Sequence, residues 1–208
     1  MVYNMPYFGS GNKLMKNVLG NWSFSPVYTY ETGEWVTVQA QRDANLNVDS
    51  AGDRAIFNPG GTPGTGTDVT ALTATAGPNA GNVVAYAANN PTAQYIRTGL
   101  GGLSNLGRNT LMTPATNNID LAIYKDISFT ERMKFRFGAQ FANIINHPQY
   151  IPGSNPGFGL GVNDVAGFNS VSASYRNFVT PGKGTFNDPQ SVFASNARAI
   201  ALVFKFTF

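Results

Sequence analysis

The chain closes on a segment that leaves little freedom in how it folds: Arg198-Ala-Ile-Ala-Leu-Val-Phe-Lys-Phe-Thr-Phe208. Ile200, Leu202, Phe204, Phe206 and Phe208 take every second position, with Ala199, Ala201, Val203, Lys205 and Thr207 between them. Successive side chains of a β-strand point to opposite faces, so this strand has one wholly apolar face and one small or polar face. Such a strand, about 10 residues long, fits the wall of a transmembrane β-barrel. The last strand of a soluble sandwich would also alternate, and the rest of the chain has to decide between the two.

The 208 residues suffice for one domain with a sizeable core. Only 12% are charged, well below the roughly 25% of ordinary soluble domains. The longest apolar run, Ala199 to Phe204, is far too short for a transmembrane helix, and the mean hydropathy is an unremarked −0.15. A β-barrel is the membrane architecture that leaves average hydropathy this ordinary. The net charge of +3 comes from scattered lysines and arginines, with no basic cluster interleaved with aromatics, so nucleic acid is not an expected partner. The absence of cysteine removes disulfides, thiol nucleophiles and thiolate metal sites.

Period-two alternation predicts five spanning antiparallel strands, near residues 2–8, 20–32, 116–129, 132–146 and 196–208. Trp22, Phe24, Tyr28 and Tyr30 share one phase, where Pro26 predicts a bulge. Ile119, Leu121, Ile123 and Ile127 share another, and Lys125 in that phase is expected to snorkel to the periplasmic interface. Met133, Phe135, Phe137, Ala139 and Phe141 alternate with Lys134, Arg136, Gly138 and Gln140, which implies a lipid face opposite a wet one. Gly9–Gly20 reads as a plain connection. Thr32–Pro114 reads as a long polar loop, with Trp35–Gln39 extending the second strand. Asn146–Ala197 reads as a second long loop, with a short hairpin near Val171–Tyr175. Long loops on one side and short connections on the other suit a barrel and not a compact soluble domain. Five strands are too few to close, since single-chain bacterial barrels start at about eight.

Several stretches look familiar together: Asn105-Leu-Gly-Arg-Asn-Thr-Leu111, Asn117-Asn-Ile-Asp-Leu-Ala-Ile-Tyr-Lys-Asp126, Thr130-Glu-Arg-Met-Lys-Phe-Arg-Phe137 and Asn143-Ile-Ile-Asn-His-Pro148. With the Phe-terminated last strand, they resemble the C-terminal end of TonB-dependent outer-membrane receptors. Glu31-Thr-Gly-Glu-Trp35 and Asp53-Arg-Ala-Ile-Phe-Asn-Pro59 look like loops of the Oar-like subgroup, which carries a carboxypeptidase-regulatory-like domain at its N-terminus. The resemblance implies a 22-stranded barrel of which residues 1–208 supply the C-terminal part. Plug domain, TonB box and export signal do not appear in this sequence, and the expectation is that the true N-terminus lies upstream. It implies residence in the outer membrane and partners in outer-membrane lipid, the barrel-assembly machinery and, through the N-terminal part, the TonB system. Ile200, Leu202, Phe204, Phe206 and Phe208 resemble the C-terminal signal that such barrels present for assembly. Lys134, Arg136, Gln140 and Lys205 would line the lumen or meet the plug.

Chemistry has little support. The one histidine, His147, sits in Asn-His-Pro, where a place at the barrel rim is expected. Gly157-Phe-Gly-Leu-Gly161 and Pro181-Gly-Lys-Gly-Thr185 lack the strand–helix context or the spacing of nucleotide loops. Asp43-Ala-Asn-Leu-Asn-Val-Asp49, followed by Gly52 and Asp53, places oxygen ligands at alternate positions as calcium loops do, but without a closing glutamate it reads as a solvated Asx-rich loop. The expectation is an all-β transmembrane barrel segment that is not an enzyme and holds no cofactor or metal. A small independent porin-like or adhesin-like barrel, with three further strands in the loops, and a secreted β-sandwich binding module are the alternatives.

Overall fold

Where the sequence alternates, the backbone pairs. The computed structural model describes residues 2–6, 8, 12–48, 53–150, 173–192 and 195–208. In chain order the first elements are β1 (Tyr3–Asn4), α1 (Lys13–Val18), β2 (Trp22–Glu31), β3 (Trp35–Val36), β4 (Ile56–Phe57), β5 (Thr62–Thr67) and β6 (Val69–Thr73). There follow β7 (Val83–Ala88), β8 (Ala93–Ile96), β9 (Leu111–Met112), β10 (Thr116–Ser128), β11 (Lys134–Ala142), α2 (Ala173–Phe178), α3 (Pro189–Val192) and β12 (Ala199–Thr207).

One compact unit comprises Met1–Glu31, Thr116–Gln149 and Ser195–Phe208. It is a five-stranded antiparallel sheet in the order β1-β2-β10-β11-β12, the expected neighbours in the expected sense. The first strand is shorter than its alternation suggests: only Tyr3 and Asn4 pair, with Phe24 and Ser23, and Tyr7 lies outside the described residues.

Pro26 makes no bulge. The β2–β10 ladder runs without a shift from Glu31↔Thr116 to Trp22↔Lys125, through Leu121↔Pro26. The reason lies in which edge of β2 each amide faces. The Trp22 carbonyl accepts from the Met5 N–H on the β1 side, whereas the Asn21 carbonyl accepts from the Asp126 N–H on the β10 side. Backbone polar groups alternate edges along a strand, so the missing N–H of Pro26 falls on the β1 side, beyond the last described β1 pair, and the ladder to β10 loses nothing.

At one end of the sheet the β10–β11 turn closes with Phe129 N–H donating to the Met133 carbonyl at 3.0 Å. The β1–β2 connection at this end is not plain. It contains α1, capped by the Asn12 side chain, which accepts from the Met15 N–H at 2.8 Å.

At the opposite end the segment after β11 forms a clasp. Asn143 and Asn146 adopt left-handed φ values of 51° and 52°, which asparagine tolerates better than most residues. The buried Asn143 side chain accepts from the His147 N–H at 3.0 Å and donates to the His147 and Asn196 carbonyls at 2.8 and 3.0 Å. The Gln149 side chain, also buried, accepts from the Asn117 N–H at 2.7 Å and donates to the Asn117 carbonyl, as a paired strand would.

The second compact unit comprises Thr32–Ala115 and Tyr150–Ala194, the two stretches that read as loops. It is folded. Its small sheets are β3-β9, β4-β8-β5 and β6-β7. The expected extension of β2 through Gln39 is met only in part: after a break Trp35 and Val36 pair with Met112 and Leu111 in the register of the β2–β10 ladder, whereas Gln39 bridges to Arg54. Val36, Val38, Ala55, Tyr95, Leu106, Leu111, Phe178 and Val179 form a buried core, with Phe57, Tyr150, Phe186 and Val192 packed against it. Both stretches contribute: the Gln39 N–H donates to the Val179 carbonyl at 2.8 Å. Within the Thr- and Gly-rich run at 60–70, β5 lies parallel to β8 and polar side chains satisfy its backbone, with Gly64 N–H donating to Gln94 and Asn187 donating to the Gly64 carbonyl. The expected hairpin near Val171–Tyr175 is replaced from Ala173 onward by α2, while Val171 and Ser172 lie outside the described residues. So does Gly157–Gly161.

Candidate functional site

The ladder register decides which side chains share a face, and it sorts the sheet into two chemistries. Cross-strand pairs on one face are Trp22↔Lys125, Phe24↔Ile123, Tyr28↔Ile119, Phe137↔Lys125, Phe141↔Leu121, Phe135↔Phe206, Phe137↔Phe204, Ala139↔Leu202 and Phe141↔Ile200. The rings of Phe135 and Phe204 lie 6.5 Å apart and nearly parallel, those of Phe206 and Phe208 6.3 Å apart. No second layer covers them among the described residues: Phe204 is 68% exposed, Leu202 69% and Phe208 93%. An aromatic sheet face this bare is expensive in water and favourable in hydrocarbon.

The other face is wet. Lys134↔Thr207, Arg136↔Lys205 and Gln140↔Ala201 pair there, so the four polar residues singled out in the sequence do share one face. Two are already held by β10. Arg136 forks onto Asp126 with Nε–Oδ1 and Nη2–Oδ2 distances of 2.7 and 2.8 Å, and its guanidinium lies 5.5 Å from the Tyr124 ring centre. Gln140 donates to the Tyr124 hydroxyl. Gly138, opposite Tyr124, makes this possible, since a Cβ there would lie 2.7 Å from the Tyr124 ring. Asp126 and Tyr124 are thus as much part of this face as the residues first named.

Lys125 departs from expectation. It does not snorkel to solvent. It is buried, its Nζ donates to the Gly20 carbonyl, and it lies 5.1 Å from the centre of the Trp22 ring. A cation on the apolar phase is tolerated because a carbonyl and an aromatic face receive it.

In the second unit, Asp68 bridges two arginines drawn from distant segments. Its carboxylate oxygens stand 2.9 Å from Arg97 Nη1 and 3.3 Å from Arg42 Nη2, and Arg97 Nε also donates to the Ala40 carbonyl at 2.7 Å. Burial pushes the Asp68 carboxyl up, but the Val69 N–H and both guanidiniums outweigh it and hold the group below the usual carboxylate range. Burial, then the neighbouring Arg97, lowers Arg42, partly offset by Asp68. The Pro181–Thr185 segment serves this cluster as a turn: Gly182, at φ 79°, sits so close to Asp68 that a Cβ would approach its backbone N within 2.3 Å.

The Asp43 loop closes on itself. Asp43 accepts from the Asn47 and Val48 N–H groups at 3.1 and 2.9 Å, and Asp53 accepts from the Asn45 N–H and side chain at 2.7 and 2.8 Å. Asp49 and Gly52 lie outside the described residues. His147 is exposed and engaged through its backbone by Asn143, with Nδ1 3.2 Å from Gln149 Nε2.

Sequence reasoning missed the arginine–aspartate cluster, whose members carry no motif, and α1. Leu14, Met15, Val18 and Leu19 at helical spacing, between Asn12 and Gly20, were the signal for the helix.

A continuous antiparallel sheet with one bare aromatic face and one ion-paired polar face is the wall of a membrane-spanning β-barrel. Residues 1–178 match the outer membrane beta barrel domain, and the chain belongs to that family, a protein of the outer membrane. No curated protein and no solved structure matches the chain. The match and the bare apolar face set aside the soluble sandwich.

Two outcomes follow. Leu202→Arg, on the lipid face, should destabilise the assembled barrel by about 2–4 kcal/mol if it lies near the bilayer midplane, whereas its neighbour Ala201→Arg, on the wet face, should cost far less; urea unfolding in lipid vesicles measures both. For Asp68 the folded pKa lies below the unfolded one, so its stabilisation is full above the ordinary value of 3.8 and is lost as pH falls through the lower, folded value. Hydrogen-exchange protection in residues 32–115, taken relative to the intrinsic rate at each pH, should therefore fall below about pH 4 in the native chain. Asp68→Asn should raise exchange already at pH 7 and flatten that acid step.

Proposed function

We propose that the chain is the C-terminal part of the barrel of a TonB-dependent receptor of the Oar-like subgroup, which imports a substrate across the outer membrane. The observation that carries this reading is the open sheet of five strands, with β1 at one edge and β12 at the other. Barrels close at about eight strands or more, so the sheet needs neighbours on both edges. Among the described residues no further strand joins this sheet at either edge, which favours a larger parent over an independent porin-like or adhesin-like barrel. The motif resemblances supply the subgroup.

In this reading residues 1–208 are barrel, and the plug and TonB box belong to the N-terminal part of the receptor. The chain does no covalent chemistry and has no nucleic-acid partner. Lys134, Arg136, Gln140 and Lys205 face the lumen or the plug. Ile200, Leu202, Phe204, Phe206 and Phe208 meet lipid and present the terminal signal to the barrel-assembly machinery.

The test is retention of the detergent-extracted, full-length gene product by the purified periplasmic domain of a TonB protein. A gene product that migrates as a heat-modifiable barrel but is not retained would refute the reading. For assembly, deleting Phe208 should lower heat-modifiable protein in the outer membrane far more than Phe204→Ala does. Burying a phenylalanine contributes only roughly 1.5–3 kcal/mol, too little to abolish a large barrel. Equal, modest losses at both positions would make Phe208 an ordinary lipid-facing residue.

A further inference from the structure

The connection between β1 and β2 carries an amphipathic helix mounted opposite to what water would favour. At about 100° per residue, Leu14, Met15, Val18 and Leu19 fall on one side of α1 and its C-cap, and Lys13, Lys16 and Asn17 on the other. In a water-soluble protein the apolar side packs inward. Here the polar side is the one fastened to protein. Lys13 Nζ donates to the Phe129 carbonyl at 2.5 Å, Asn17 Nδ2 donates to the Ser128 carbonyl at 2.9 Å, and the Ser128 N–H donates back to Asn17 Oδ1 at 3.2 Å. The apolar side is left bare: Leu14 is 73% exposed, Val18 59%, Leu19 46% and Met15 41%.

We propose that α1 is an interfacial helix. It lies at the headgroup–acyl boundary of the periplasm-facing leaflet of the outer membrane, with this apolar side in the acyl region and Lys16 at the phospholipid phosphates. Two further observations commit it to lipid. The first is continuity with the lipid face of the sheet. Lys125 belongs to the apolar phase, and its side chain reaches the Gly20 carbonyl just behind the helix, beside the Trp22 ring. That contact ties the exit of α1 to a side chain of the sheet's apolar face. The second is position and charge. The helix is stapled to the short β10–β11 turn, and short turns mark the periplasmic end of such barrels. An exposed lysine beside an apolar stripe suits an anionic headgroup. The inference rests on the outer-membrane barrel alone and is independent of the TonB reading.

Residues 1–208 contain no cysteine, so within them each label has a single site, and any cysteine elsewhere in the full-length product is first replaced by serine. Leu14→Cys, Val18→Cys and Lys16→Cys, each carrying an environment-sensitive fluorophore, are compared in the full-length gene product. The protein is held in nanodiscs of phosphatidylethanolamine and phosphatidylglycerol. Labels at 14 and 18 should lose about half their emission to a nitroxide placed near the lipid headgroup and be shielded from aqueous iodide, with the label at 16 showing the reverse. Iodide quenching at 14 and 18 equal to that at 16 would overturn the proposal in favour of a water-facing helix. Shielding from both quenchers would overturn it in favour of a protein partner or a second copy. Heat-modifiable migration selects variants with an intact barrel, and Met15→Cys and Leu19→Cys give second positions on the same side.

Discussion

Hydrocarbon offers no hydrogen bonds, so every backbone amide within it needs a partner inside the protein, and the rest of this structure follows from that requirement. The β2–β10, β10–β11 and β11–β12 ladders meet it with unbroken register. Unbroken register in turn fixes the faces, because a slip of one residue would exchange Phe204 with Lys205 and put the cation in lipid. Proline is the one residue that cannot donate, and Pro26 survives because its nitrogen lies on the edge away from β10. The chemistry of both faces is therefore a consequence of backbone pairing.

The spanning strands were legible in the sequence because one face of each is constrained by lipid and the other by water, so hydropathy repeats every two residues. The second unit was not legible because its constraint is different. Its core is built from Val36, Val38, Ala55, Tyr95, Leu106, Leu111, Phe178 and Val179, single apolar residues scattered over long separations among Thr, Gly and Asn. Each contributing strand is two to six residues long, too short for a period to register. Much of its backbone is satisfied by side chains such as Gln94, Asn105 and Asn187, which look the same in a solvated loop. Arg42, Asp68 and Arg97 were invisible for a related reason: distant residues become a cluster only when the fold brings them together. Alternation puts Lys125 on the correct phase, but its partners, Gly20 and Trp22, follow a helix that period-two patterning does not show.

The Asn143–Gln149 segment shows how a ladder can stop where lipid ends. Beyond Ala142 the regular ladder ends, with the Ile144 N–H still donating to the Ile119 carbonyl of β10 at 2.9 Å. Asn143 turns the chain in a left-handed conformation, and its side-chain amide holds His147 and reaches the Asn196 carbonyl. Its backbone N–H bonds to the Asp120 carboxylate on β10, its Nδ2 to the Asn196 carbonyl ahead of β12. Gln149 completes the seal at Asn117. This gives a physical account of the Asn-Ile-Ile-Asn-His-Pro motif in which the asparagines, not the histidine, carry the structure. Pro148 then has no N–H with which to resume a strand ladder.

The two ends of the sheet therefore solve one problem with different materials. At the clasp end, buried side-chain amides of Asn143 and Gln149 take over backbone pairing. At the turn end, the connection is kept close by α1, whose Lys13 and Asn17 bond to Phe129 and Ser128 and whose exit is held by Lys125. Fastening a helix by its polar side necessarily turns its apolar side outward. In water that arrangement would invite aggregation; next to a lipid face it extends that face by one helix. The same environment that permits a bare row of phenylalanines on β11 and β12 also permits a helix mounted this way, and one without the other would be hard to justify energetically.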